Sequence, residues 1–335
     1  MKKTFIALLI MTILTSCFSC KSFKINVELK NSTGKTVYLN RLENGAMKTV
    51  DSIVAKEDKA VFKVKKDDNN DALHVMMQGW RRPLTFFADN QDVTITGDYQ
   101  NYKEIVVKAS TTQQNLDAFF AKLDQIEDEK EIYYAVADYA KSNIDNQIGT
   151  YVLYRYKWAV PLEDLAILYE TIPADLQSSY KEMLFDYIMG LKKTQPGMPY
   201  VDFKQQGLYD EAFALGELVD NSEVVILDFW ASWCPDCRKA NPQLVEIYNQ
   251  FKDKGLDIMS VSLDTDPYAW KNAISDDKLT WKWHVSDLQG WNNEVAQLYM
   301  VSFIPQNIVI DKKGIIIARN MPFDEMKAML SDYLK

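Results

Sequence analysis

Three stretches of different hydrophobic period follow one another along this chain. From Phe23 to about Lys108 the apolar residues come in short runs, several of them alternating with polar positions: FKINVELK, KTVYLNRL, AVFKVKK, ALHVMMQG, LTFFADN, VTITGDY and EIVVKA. These runs are rich in β-branched and aromatic residues, and turn formers such as NSTGK and ADNQD separate them, which predicts strands. Seven short strands at this spacing predict an antiparallel all-β sandwich or barrel over residues 23–109. From Thr111 to Lys193 the step lengthens. Leu116, Phe119, Leu123 and Ile126, then Tyr180, Met183, Leu184, Tyr187, Ile188 and Leu191, recur at three- and four-residue intervals. With Pro161 and Pro173 as breaks, three or four helices are predicted for a connector over residues 110–195.

Over residues 196–335 strands and helices alternate. EVVILDF is a continuous apolar run suited to a parallel strand covered on both faces. A helix from about Pro235 to Lys252 follows, then a strand in DIMSVSLD, a helix across PYAWKNAISDD, a strand in WKWHVS and a helix in NNEVAQLYM. Strands in QNIVID and GIIIARN and a helix in DEMKAMLSDYL complete the pattern, which predicts an α/β sheet.

Composition narrows the function classes. A chain of 335 residues has room for two domains, and 47% apolar with 25% charged residues allows a buried core without disulfides. The net charge of −9 and the lack of a basic stripe argue against nucleic acid. Lys2 and Lys3 precede an apolar run from Thr4 to Leu14, too short to span a bilayer and of the length of a secretory signal core. Leu14-Thr15-Ser16-Cys17 resembles a bacterial lipobox, which makes residues 1–16 a signal peptide, Cys17 the lipidated first mature residue and residues 17–22 a tether. Ordinary signal cleavage nearby, or lipidation at Cys20, is the alternative. A cysteine carrying more than one acyl chain anchors stably to a membrane. The expected location is therefore the periplasm-facing side of a bacterial envelope.

The remaining cysteines, Cys234 and Cys237, form a Cys-x-x-Cys at the end of the buried strand and the start of the next helix. Pro235 takes the favoured first helical position. The Cys234 sulfur then faces unpaired amide N–H groups and the positive end of the helix dipole, which favours a thiolate by ~0.3–1 kcal/mol, up to ~2 when partly buried. Cys234 is therefore the expected nucleophile and Cys237 the resolving thiol. Asp236 opposes the thiolate, and Arg238 and Lys239 partly offset it. Asp228 is an acid inside the apolar run VVILDFW, where burial raises its pKa into range to accept the Cys237 proton; a structural hydrogen bond is the alternative role. Zinc would need more ligands than two cysteines plus His74 and His284 supply. Both histidines sit among apolar residues, and packing is the expected role of each, His284 beside Trp283.

ILDFWASWCPDC, with SFIPQNIVID downstream, resembles the thioredoxin fold and most closely the TlpA/ResA-like membrane-tethered thiol-disulfide oxidoreductases, over about residues 197–335. The resemblance implies Cys234 as nucleophile, Cys237 as resolver, Asp228 as the buried acid, Trp233 as the tryptophan before the first cysteine and Pro305 as a cis-proline beside the pair. Pro235 and Asp236 replace Gly-Pro, and Ile304 replaces a threonine; these positions bear on potential and substrate choice. The region before it resembles the uncharacterised domain that precedes such modules in Bacteroidetes lipoproteins. The expected activity is protein-disulfide reduction, with no cofactor beyond the Cys234–Cys237 disulfide and with a membrane electron donor as partner. Alternatives are a disulfide isomerase or oxidase, a thiol peroxidase, which would carry threonine where Ala231 stands, and a binding module with a regulatory redox pair.

Overall fold

The computed structural model describes residues 22–43, 45–66, 71–209 and 211–335. The apolar leader, the lipobox-like segment with Cys17, and Cys20 lie outside the described residues. The chain divides into two compact units, residues up to Ile126 with Gln177–Ser179, and Glu127–Leu176 with Tyr180–Lys335.

In the first unit, strands β1 (Ser22–Lys30), β2 (Thr36–Glu43), β3 (Ala46–Val54), β4 (Lys59–Lys65), β5 (Leu73–Met77), β6 (Leu84–Phe86), β7 (Val93–Asp98) and β8 (Asn101–Lys108) form two sheets, β4-β1-β7-β8 and β3-β2-β5-β6. Ile25 and Phe62 from one sheet share a core with Val37, Val75 and Phe86 from the other, which makes the expected sandwich. Two details differ from the sequence reading. β1 pairs antiparallel with β4 but parallel with β7, so the sandwich is not wholly antiparallel. β3 is an additional strand: seven of its first eight side chains, and its last, are exposed, so it carries no hydrophobic alternation and owes its extended form to pairing along β2. Helix α1 (Thr111–Leu123) starts at Ser110, whose Oγ accepts the Gln113 amide at 3.2 Å.

The second unit begins with α2 (Glu129–Ser142), α3 (Gln147–Arg155) and α4 (Leu162–Glu170), and α5 (Ser179–Lys192) follows. With α1 that makes five helices where three or four were expected. Two breaks fall where no proline stands, before α2 and before α3; Asp128 and Asn146 restart the helices, their side chains accepting the Glu131 and Ile148 amides, each at 2.9 Å. A hairpin of β9 (Lys204–Gln206) and β10 (Ala212–Ala214) and the short α6 (Leu215–Val219) lead into β11 (Val224–Trp230). Next come α7 (Pro235–Phe251), β12 (Leu256–Ser262), α8 (Pro267–Asp276), β13 (Trp283–Val285), α9 (Glu294–Leu298), β14 (Gln306–Asp311), β15 (Ile316–Arg319) and α10 (Phe323–Tyr333). The sheet order is β13-β12-β11-β14-β15, with β11, β12 and β13 parallel and β14 antiparallel to both its neighbours. Every residue of the central β11 is buried, as its unbroken apolar run requires. Tyr299, fully buried, clasps the segment entering this sheet: its hydroxyl donates to the Val201 carbonyl at 2.6 Å and accepts the Val201 amide at 3.0 Å. Among the described residues no helix is long and apolar enough to cross a membrane.

Candidate active site

The carboxyl end of β11 delivers the chain to the site. After Trp230 the turn Ala231-Ser232-Trp233 leads to Cys234, which is the N-cap of α7, with Pro235 in the first turn. This turn is held by Asp264, which accepts the Ser232 amide at 2.9 Å, the Ser232 hydroxyl at 2.5 Å and the Ser262 hydroxyl at 2.6 Å. Cys234 and Cys237 are joined in a disulfide. The Cys237 amide donates to Cys234 Sγ at 3.1 Å, so one of the orphan N–H groups of the helix terminus is already aimed at that sulfur. Cys234 keeps 5% of its surface exposed and Cys237 only 1%, which leaves Cys234 as the sulfur nearer to solvent.

The charges around the pair are arranged differently from a simple offset of Asp236. Lys239 does pair with Asp236, at 3.0 Å and in the open. Arg238 turns away to Asp277, Nε to Oδ2 at 2.5 Å and Nη2 to Oδ1 at 2.8 Å, while its Nη1 donates to the Ser232 carbonyl at 3.3 Å. Asn241 also donates to Asp277, at 2.6 Å. Asp277 thus ties the first turn of α7 to the end of α8 and to the turn before Cys234. Asp277→Ala is expected to cost about 1–2 kcal/mol, because it strands the buried Asn241 amide and releases an Arg238 guanidinium that is a third exposed and so partly screened; urea unfolding would read it as a lowered midpoint at unchanged slope.

Asp228 lies on β11 and is 4% exposed. Its register partner on β12 is Ser260, whose hydroxyl donates to Asp228 Oδ2 at 2.9 Å and accepts the Trp281 indole N–H at 3.0 Å. Burial pushes the Asp228 carboxyl up to about 7, against the lowering effect of that one hydrogen bond. Among the described residues Asp228 makes no hydrogen bond to either cysteine. The Ile304–Pro305 peptide is cis, and the Ile304 carbonyl oxygen lies 3.9 Å from Cys234 Sγ. Trp233 is 51% exposed, its indole N–H donating to the Leu263 carbonyl at 3.3 Å, and its ring centroid lies 6.3 Å from that of Trp291, also about half exposed. Asp236 is exposed in the first turn of α7.

The two histidines stand outside this arrangement. His74 bonds Thr85, and His284 bonds the Leu279 carbonyl and stacks on Trp281, where the sequence had suggested Trp283. Burial pushes both imidazoles down to about 4, so both are neutral packing groups. Among the described residues no group of three or more His, Cys, Asp or Glu is placed to hold a metal. Ser260, Asp264, Asp277 and Trp291 were not singled out from the sequence. The two serines of MSVS, polar points in a strand otherwise apolar, were the available signal for Ser260 and for the Ser262–Asp264 contact.

The family model for thioredoxin-like proteins matches residues 221–316, and that for a domain of unknown function, DUF4369, matches residues 23–116. The thiol-disulfide oxidoreductase ResA of Bacillus thuringiensis subsp. konkukian is 33% identical over 111 residues, which is 33% of this chain and 61% of that protein. The chain thus spans about three fifths of the length of that relative. ResA of Bacillus thuringiensis strain Al Hakam is 29% identical over 144 residues, 43% of this chain and 79% of the relative. Among solved structures, the thioredoxin domain of a thiol-disulfide oxidoreductase from Bacteroides vulgatus is 29% identical and covers 42% of this chain and 98% of its own, with a TM-score of 0.39. Residues 221–316 are accordingly a thioredoxin-like domain, homologous to the ResA thiol-disulfide oxidoreductases and preceded by a β domain of the DUF4369 family.

Proposed function

We propose that this chain is a lipid-anchored thiol-disulfide oxidoreductase of the bacterial envelope that reduces protein disulfides. The observation that carries the reading is the Cys234–Cys237 pair at the start of α7, with the Cys237 amide directed at the Cys234 sulfur. The chain's similarity to the ResA proteins, which are thiol-disulfide oxidoreductases, supports it. In the reduced form the Cys234 thiolate attacks one sulfur of a substrate cystine, forming a mixed disulfide and releasing the other sulfur as a thiolate. Cys237 then gives its proton to Asp228 through a bridging water and attacks Cys234 Sγ. The Cys234–Cys237 bond forms, the mixed disulfide breaks, and two electrons have passed to the substrate. Trp233, Pro235, Asp236, Ile304 and Pro305 line the approach of the substrate strand, and Trp291 extends that apolar rim. Regeneration of the dithiol in an oxidising compartment calls for an electron donor in the membrane to which Cys17 tethers the chain.

The direction of transfer follows from how little the thiolate gains. Its stabilisation comes from one amide and the helix terminus, while Arg238 is spent on Asp277 and Lys239 on Asp236. A strong oxidant needs a far more stabilised reduced form. The pair is therefore expected to equilibrate, in a glutathione or dithiothreitol redox buffer, below about −200 mV, in the range of reducing thioredoxin-like proteins. A potential near about −120 mV would replace the reductase reading with an oxidase.

A further inference from the structure

A cavity of about 340 Å³ lies in the second unit, between the segment after α3 and the loop that enters β14. Two cations line it, Lys157 and Arg319, and both are partly buried. Lys157 Nζ donates to the Tyr154 carbonyl at 3.3 Å and stands 4.1 Å and 5.1 Å from the ring centroids of Tyr154 and Tyr187. Arg319 donates to Thr194 Oγ1 at 3.0 Å, to the Thr194 carbonyl at 3.3 Å and to the Tyr299 carbonyl at 2.8 Å. Every one of these partners is neutral, and among the described residues neither cation has a carboxylate in ion-pair reach. Burial pushes Lys157 down to about 8 and Arg319 down to about 10. Two partly buried positive charges without a counter-ion favour a site that something negative joins.

Trp158 and Phe303 supply apolar wall. We infer that this cavity is a binding site for a small carboxylate with an apolar body, its carboxylate taken by Lys157 and Arg319. Such a ligand touches the redox site indirectly. Phe303 and Gln306 flank Ile304–Pro305 on both sides, and the Tyr187 hydroxyl lies 3.3 Å from Ser302 Oγ in the same loop.

Isothermal titration of the oxidised full chain with 4-hydroxybenzoate is expected to give saturable one-to-one binding. The neutral 4-hydroxybenzyl alcohol is expected to bind at least about tenfold more weakly. Lys157→Met is expected to weaken 4-hydroxybenzoate by about tenfold, whereas Arg319 is left intact because it also holds two backbone carbonyls. Absence of saturable binding, equal affinity for the neutral alcohol, or a Lys157→Met variant that binds as the wild type does would overturn the assignment. The comparison of the two probes needs no variant, and the titration reads binding independently of disulfide exchange.

Discussion

Asp228→Asn is expected to make the oxidised protein more stable above neutral pH and, in the same molecule, to slow its chemistry. In an unfolded chain this carboxyl titrates near 3.8; in the folded protein burial pushes it up to about 7. A group raised on folding contributes its full stability below its unfolded pKa and loses it as pH climbs through the folded value. Between pH 4 and pH 8 the wild type therefore gives up on the order of 4 kcal/mol through this one side chain, and asparagine gives up none of it. The Ser260 hydroxyl can still donate to the amide oxygen, but the new NH2 seeks an acceptor and takes back part of the gain. The net advantage of the variant is expected at about 2–4 kcal/mol at pH 8, shrinking toward zero by pH 4, in urea unfolding of the oxidised form. A difference that stays flat across that range would mean the carboxyl ionises normally. Resolution of the mixed disulfide should slow by about a hundredfold or more, the usual worth of a positioned proton acceptor.

Serine at the two cysteines should produce opposite failures. Cys234→Ser removes the sulfur that receives the Cys237 amide and retains solvent contact, and turnover of a protein disulfide such as that of insulin is expected to fall to the uncatalysed rate. Cys237→Ser keeps the attacking sulfur and deletes the release step, so covalent adducts with substrate proteins are expected to accumulate, visible on non-reducing gels and dissolved by dithiothreitol. The helix terminus should also lower the Cys234 thiol pKa by about one unit below that of free cysteine, read from the pH dependence of alkylation in Cys237→Ser. Trapping by Cys234→Ser with none by Cys237→Ser would reverse the roles of the pair.

The five-stranded sheet of the α/β half was legible because its strands are mostly apolar runs, whereas the hairpin β9–β10, one strand of it the polar KQQ, and the short α6 offered no such run and were not anticipated. β11 is the clearest case, an unbroken run that could only be a strand covered on both faces. β3 was invisible for the converse reason: its outward-facing side chains give no pattern, and only the hydrogen bonds of β2 define it. The parallel pairing of β1 with β7 is a long-range choice that no local window contains. At the site, Cys234, Cys237 and Asp228 announced themselves by chemistry out of place in their segments. Ser260, Asp264 and Asp277 did not, since each becomes meaningful only through a partner between 32 and 39 residues away or across the sheet register. The Arg238 assignment shows the same limit, because sequence proximity to Asp236 suggested a neighbour that space does not provide.

The strand order of the β unit also sets a timetable. β1 is the earliest strand of that unit to be synthesised, yet one of its two flanks is closed only when residues 93–98 arrive, pairing Lys30 with Asp98. At about 5–20 residues per second, translation leaves that flank open for several seconds. Throughout that interval Ile25, Val27 and Leu29 belong to a strand with one bare row of backbone donors and acceptors, the kind of edge on which chains join one another. The growing polypeptide thus carries an open strand edge well before its redox pair has been made.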